Sequence, residues 1–547
     1  MIYLFFLATP LVDPVATIRA HIAIQDYEGA CQEAEKADKT RPVQEAYLAA
    51  LSKNNDENKL LAVWKQYRTS REPSQEVIED VAWGVLNQGI TSSQPMIRAM
   101  GLVGASLSQD VRGVRLIKRA TTDPCVFVRA LAAEFAGHTR DLCLQQEMLR
   151  MFIIERDWQV RQAVIEAIGH MRIQGAAPHL RQRLTETDVT PEERLVLIEA
   201  IVNILDNVED AELQYMASHE RAGFRQLACL AIAHFNRTDK QDLLEKLVQD
   251  PRAEVRQLAY MAYGRLRLPV PKREEREATT ALFAAWAIML EQPLEGQKRL
   301  RPFLQHANEE IREMALAALV RAGKYAFPLA EELFFSTRDP YVQINLGLLM
   351  MGQRQHTERA SHLVFSALMN TSERIMWKQD KIFRYLTKSD LKHREGVPHY
   401  PDAVDQMTRL EILGQLAIVR QPGVQEALTQ FLREKTWGIS GIASLILLTE
   451  GDDSVLEAIA PLISHPDSKV QLQAAIVMAA WGQEEKALPM LTQAYATASR
   501  QRKEQILEAL GSIGAKESLP FLMDRLDESY QTLRLIAAAG ILQTLYK

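Results

Sequence analysis

Residues 241–266 read QDLLEKLVQDPRAEVRQLAYMAYGRL, and two short helices account for nearly all of them. Leu243, Leu244, Leu247 and Val248 fall at i, i+1, i+4 and i+5, one apolar stripe on a first helix. Asp250-Pro251 follows. Asp caps a helix N-terminus through its carboxylate, and Pro suits the first helical position because its missing N–H is not needed there, so a second helix is expected to start here. Its stripe is Val255, Leu258, Ala259 and Ala262, and Gly264 stands where the helix is expected to end. A hairpin this short cannot bury both stripes alone. It needs a neighbour stacked on each side.

The neighbours are written in the same chain. Met96-Ile97-Arg98-Ala99, Phe127-Val128-Arg129-Ala130, Gln159-Val160-Arg161-Gln162, Phe224-Arg225-Gln226-Leu227 and Ile311-Arg312-Glu313-Met314 repeat the phrase Val255-Arg256-Gln257-Leu258. Taking the arginine or its equivalent as a marker gives positions 98, 129, 161, 194, 225, 256, 312, 343, 471, 504 and 534. The wider gaps close on the same period when residues near Trp286, Met376, Arg409 and Gly438 are inserted, so the span divides into steps of about 31 residues. A fixed period of this size means a stack of supersecondary units rather than one globular core. The small residues Ala99, Ala132, Ala163, Ala228, Ala259 and Ala315 are expected to let adjacent helices approach closely. The recurrent arginines are read as a packing rule, bonding the preceding turn and the next unit. Strand-like alternation is almost absent, so the expected fold is all-α: an α-solenoid of stacked helical hairpins.

The phrase Asp-Pro-x-x-x-Val-Arg, present as Asp123-Pro124 with Val128-Arg129 and as Asp250-Pro251 with Val255-Arg256, resembles the signature of HEAT repeats. With its short period it looks most like the bacterial HEAT variety named after phycobilisome lyases. The resemblance runs from about residue 91 to the end and implies a HEAT-like superhelix. What it implies about activity is broad, since such folds serve lyases, DNA-repair enzymes, hydroxylases and scaffolds.

Composition narrows the classes. Lys+Arg number 64 against 70 Asp+Glu, a net charge of −6, which argues against a chain whose main task is gripping nucleic acid. Cys31, Cys125, Cys143 and Cys229 are scattered with no metal-ligand spacing, so reduced thiols and a cytoplasmic location are expected. Residues 2–12 (IYLFFLATPLV) are apolar but have no basic residue before them and are too short to span a bilayer; export through a signal segment is the alternative. No integral membrane segment is expected.

Along the chain, residues 1–90 read as divergent N-terminal helical hairpins forming a cap, 91–370 as HEAT-like repeats, 371–406 as a degenerate repeat with a long basic and aromatic loop, and 407–547 as C-terminal HEAT-like repeats. The degenerate unit departs most from its siblings. Its second helix is expected over Glu373–Leu386, with an apolar stripe at Ile375, Ile382, Phe383 and Leu386. Residues 387–406 are expected to be a loop, broken by Gly396, Pro398 and Pro401. Between 371 and 400 there are seven Lys/Arg against four Asp/Glu on an otherwise acidic chain. Trp377, Lys378, Lys381, Arg384, Tyr385, Lys388, Lys392 and Arg394 are the candidate partner-binding residues, because interfaces take Trp, Tyr and Arg as anchors. Seven residues apart on a helix, Trp377 and Arg384 share a face, with Tyr385 turned away from it.

Catalytic motifs are wanting: no Gly-rich phosphate loop, nucleophile elbow or paired acid–base signature is found. His219-Glu220 is the only His-Glu pair and falls in a turn, where it reads as a cap; His393 and His399 are six apart on a Gly/Pro loop. No catalytic residue, metal site or cofactor is expected. The function these observations imply is a non-enzymatic protein–protein interaction scaffold with a protein or peptide partner, using an extended α-solenoid surface. The alternative, resting on the resemblance, is a HEAT-fold enzyme or enzyme subunit acting on nucleic acid or a tetrapyrrole, of DNA-glycosylase or bilin-lyase type.

Overall fold

The computed structural model describes residues 13–54, 56–108, 110–139, 141–380, 383–392, 400–427, 460–482 and 487–547. Among them the chain is helical apart from one two-stranded antiparallel sheet. The described residues form two compact units, one joining 13–135 to 462–547 and the other built from 136–427 and 460–461. The apolar N-terminal run and the marker at Gly438 lie outside the described residues.

The repeat at 241–266 is two helices, Gln241–Leu247 and Ala253–Leu266, with Leu243, Leu244, Leu247, Val255, Leu258, Ala259 and Ala262 all buried. The second helix starts later than Asp250-Pro251: Arg252 is its N-cap, and Asp250 instead accepts the Arg252 N–H at 2.9 Å in the turn before it, where Pro251 also lies. Gly264 does not end the second helix. Arg267 takes the left-handed position at φ 53°, and Gly264 instead lies under Trp286, whose ring would stand 2.4 Å from any added Cβ. Ala99, Ala132, Ala228, Ala259 and Ala315 are buried between helices, while Ala163 is half-buried. Replacing Ala259 by Gln is therefore expected to cost about 1–3 kcal/mol, through overpacking and an unpaired buried amide. The exposed Glu245, changed to Gln, leaves the melting temperature nearly unmoved. Equal losses at the two sites would mean that the repeat is misread.

The marker arginines obey one geometric rule. One guanidinium nitrogen turns back onto the two carbonyls that open the helix: Arg129 onto Asp123 and Pro124 (2.9 and 3.3 Å), Arg225 onto His219 and Glu220 (both 2.8 Å), Arg256 onto Asp250 and Pro251 (2.9 and 3.3 Å), and Arg312 onto His306 and Ala307 (2.7 and 3.0 Å). Gln343 keeps half of the rule, donating to the carbonyl of Thr337 at 3.1 Å. In several units the other edge of the fork reaches forward to a carboxylate. Arg98 is bidentate on Asp123 (2.7 and 2.8 Å), Arg161 on Glu193 (2.9 and 3.2 Å), and Arg256 meets Glu275 at 3.0 Å. Burial alone would raise the Asp123 carboxyl, but the Arg98 bonds and the Cys125 amide hold it below its usual range. Arginine is required because a planar fork can serve both repeats at once, which a lysine cannot.

The final arginine finds its acid at the other end of the chain. Arg534 bonds the carbonyls of Glu528 and Ser529 like its siblings, and its Nε donates to Glu57 at 2.8 Å. Around that contact the last helix, Gln531–Tyr546, packs between Arg500–Ile513 on one side and Gln75–Ile90 and Pro95–Leu107 on the other. Its sequence, QTLRLIAAAGILQTLY, is apolar without a break from Leu535 to Leu542, more than two turns, and eleven of its residues are buried. A helix apolar all round must be covered all round. Small residues admit the neighbours: a Cβ on Gly89 would stand 2.4 Å from Leu535, and one on Gly511 would stand 2.8 Å from the Cα of Gly540. Tyr546 closes the contact by accepting from Trp83 (3.0 Å) and Arg112 (2.8 Å) and donating to Glu79.

Candidate partner-binding site

The segment expected as the helix Glu373–Leu386 is a β-hairpin. Its strands are β1 (Ile375–Asp380) and β2 (Phe383–Lys388), paired antiparallel from Ile375↔Lys388 to Asp380↔Phe383. Ile, Trp, Phe, Tyr and Thr at alternating places fit a pleated, half-buried surface better than a helix, and Phe383, Arg384 and Tyr385 run buried, exposed, buried. Ile382, counted in the helical stripe, lies outside the described residues. The expected loop also ends early. Helix Tyr400–Ile418 follows the hairpin, and Pro401 sits in its first turn, where proline is tolerated instead of breaking it.

A lone hairpin is marginal in water, so the helices must hold this one. Phe383 on β2 is fully buried, its ring 5.1 Å from Phe283 and 5.6 Å from Trp286, edge-on to the indole; both belong to helix Ala278–Glu291. Asn345, 2% exposed in the largely apolar helix Pro340–Gly352, reads the strand backbone: its Oδ1 accepts the Leu386 N–H and its Nδ2 donates to the Leu386 carbonyl, both at 2.8 Å. Thr387 donates to Glu313 of helix Glu309–Ala322. From helix Tyr400–Ile418, Asp405 accepts the Ile375 N–H at 2.9 Å and is itself bonded by Arg409 at 2.9 Å.

On the other face Arg384 is exposed and Trp377 half-buried. Trp377 and Arg384 do share it, but through strand alternation rather than helical spacing. The Arg384 guanidinium lies over the Trp377 ring, 4.7 Å from its centroid. Both are tied to Glu411, the indole N–H at 2.7 Å and the guanidinium at 3.5 Å. Tyr385 points to the opposite face and is buried.

Much of the local positive charge is matched in place. Arg374 pairs with Asp402 at 2.7 Å, Arg384 with Glu411, and Lys388 with Glu373, which also accepts from Tyr341 at 2.9 Å. The Lys388 and Tyr341 bonds hold the Glu373 carboxyl below its usual range. Lys378 is half-buried and Lys392 exposed, and neither is ion-paired to a described residue. Lys381 and Arg394 lie outside the described residues, as do His393 and His399.

Asn345, Glu411 and Phe283 were not among the residues picked out from sequence, and Trp286 was read only as a place in the repeat register. Only Asn345 carried a local signal, a polar side chain inside an apolar helix, which demands a partner when buried. His219 stacks on Phe224 at 4.2 Å and its Nδ1 accepts the Arg221 N–H at 3.0 Å, the turn-capping role read for it. Among the described residues no group of three or more His, Cys, Asp or Glu could hold a metal, and no helix is long and apolar enough to cross a membrane.

No curated protein matches the chain. Among solved structures it is similar to the karyopherin Kap121p, there bound to the extreme C-terminus of the protein phosphatase Cdc14p, at 12% identity and a TM-score of 0.34 over 95% of this chain and 72% of that one. It is similar also to a chain of the Kap95:Nup1 complex, at 15% identity and a TM-score of 0.29 over 96% and 74% of the two chains. Residues 455–541 match the family model for HEAT repeats. With that match near its C-terminus and helix pairs stacked through its described units, the chain is an α-solenoid of HEAT-like helical hairpins.

Proposed function

We propose that this chain is a non-enzymatic protein–protein interaction scaffold and that the hairpin face bearing Trp377 and Arg384 contacts its partner. The observation that carries the reading is the Trp377–Arg384 stack, held by Glu411, with the indole half-buried and the guanidinium exposed. Tryptophan and arginine are the residues that most often anchor interfaces, and a pair already fixed in one geometry loses little freedom on binding. Lys378, Lys388 and Lys392, with Lys381 and Arg394 outside the described residues, supply the surrounding charge. Tyr385 supports the hairpin from its buried face. Four free thiols suit a reducing compartment, so the reading carries a cytoplasmic location with it.

The double variant Trp377→Ala, Arg384→Ala tests it. Partners captured by the wild type from cell extract and identified by mass spectrometry are expected to be lost, with the melting temperature lowered by no more than a few degrees. Retention of every partner would overturn the proposal. So would a specific shift of DNA or RNA, or a bilin absorbance change, in place of protein capture.

A further inference from the structure

Helix Val111–Ala120, VRGVRLIKRA, has a strongly divided surface. Gly113, Leu116, Ile117 and Ala120 are buried, packed chiefly on helix Pro95–Leu107. The opposite side presents Val111, Arg115 and Lys118 at i, i+4 and i+7, all exposed, with Arg119 beside them. These spacings draw one straight stripe about 10 Å long. The stripe begins apolar: Val111 is 59% exposed, and Leu107, just before it, is 44% exposed.

The charges on this stripe are unmatched, unlike those around them. On the same helix Arg112 is engaged by Glu79, Asp80 and Asp110, and Arg98 in the preceding helix is locked to Asp123. Arg115, Lys118 and Arg119 form no ion pair with any described residue. Three like charges within two turns repel one another, a local disadvantage that an opposite charge would relieve.

We infer that this face is a second interaction surface, whose partner is an acidic amphipathic helix of another protein. Intervals of four and three residues are those at which one helix offers a seam to another, so the complementary helix carries an apolar residue against Val111 and Leu107 and carboxylates at the next steps. A lipid surface fits less well, because the apolar side of this helix is already spent on its neighbour and only two exposed aliphatic side chains remain to insert. Nucleic acid fits less well too, since three cations on a chain of net charge −6 give a weak hold on a phosphate backbone. The surface is separate from the hairpin and stands or falls independently of it.

The test uses the full-length protein and a fluorescein-labelled helical peptide. One face of the peptide bears a leucine followed by glutamates at the same four- and three-residue spacings, with Ala and Gln elsewhere. Anisotropy titrations at low salt are expected to show saturable binding, weakened about tenfold or more in Arg115→Glu, Lys118→Glu, Arg119→Glu. A matching peptide with lysine for glutamate is expected to ignore the wild type and bind the triple variant. Should the triple variant melt early, Arg115→Gln, Lys118→Gln serves in its place, with the same loss expected for the glutamate peptide. Equal binding by wild type and variants would overturn the inference, as would no saturable binding. Co-sedimentation of the wild type with phosphatidylserine vesicles, without peptide binding, would overturn it in favour of a membrane surface.

Discussion

Ending the chain after Tyr530 is expected to unfold residues at its opposite end. The deletion removes the helix Gln531–Tyr546, whose Leu533, Leu535, Ile536, Ile541 and Leu542 are buried between Arg500–Ile513 and the helices Gln75–Ile90 and Pro95–Leu107. It also strips Glu57 of Arg534 and leaves Trp83 and Arg112 without Tyr546. Losing Leu535 alone, as Leu535→Ala, is expected to cost about 2–5 kcal/mol. Losing the whole helix exceeds the stability of an ordinary domain, because several such side chains go together. Hydrogen exchange reads the result: amides of residues 75–107 lose protection, while those of 241–266, in the other unit, keep theirs. If only residues 500–525 respond, as in a stack coupled solely to its neighbours in sequence, the N-terminal helices do not depend on this cover.

Phe383→Ala is expected to release the hairpin without melting the helices beneath it. The ring fills a buried place between Phe283 and Trp286, and its removal costs about 3–5 kcal/mol, more than an isolated pair of strands can supply. Asn345→Ala acts at the neighbouring point. It leaves the N–H and carbonyl of Leu386 buried and unpaired, at about 1–3 kcal/mol for each group. In both variants trypsin is expected to cut at Lys378, Arg384 or Lys388 at rates far above the wild type, while far-UV circular dichroism stays helical. Unchanged cleavage would mean that the hairpin is held by something other than these contacts.

These expectations differ in how far they were legible in the residues themselves. The marker arginines were readable because a repeat copies one solution: the guanidinium of Arg98, Arg129, Arg225, Arg256, Arg312 and Arg534 meets the carbonyl six residues back, so six instances point to one cause. The last helix was readable in part. Its apolar run from Leu535 to Leu542, with Ala537, Ala538 and Ala539 at its centre, must be covered on every side, yet nothing in it identifies the covering helices. At residues 373–386 the two periods competed. Ile375, Ile382, Phe383 and Leu386 satisfy a helical spacing, and Phe383, Tyr385 and Thr387 satisfy a strand spacing, so periodicity alone could not choose.

What the sequence determined by itself is therefore the repeating unit: two helices, the small residues between them and the arginine that ties each to its turn. Those are local properties, set within about 31 residues and copied along the chain. Tertiary structure alone decided three things that depend on residues far apart. It made residues 375–388 a hairpin, because Asn345, Phe283 and Trp286 reward an extended backbone there. It neutralised much of the basic stretch, because Glu411 and Asp402 arrive from a later helix. It joined Glu57 to Arg534, because helix Gln531–Tyr546 packs on Gln75–Ile90 and Pro95–Leu107. Pairings of that kind are not encoded in any window of sequence; they exist only once the chain has brought distant surfaces together.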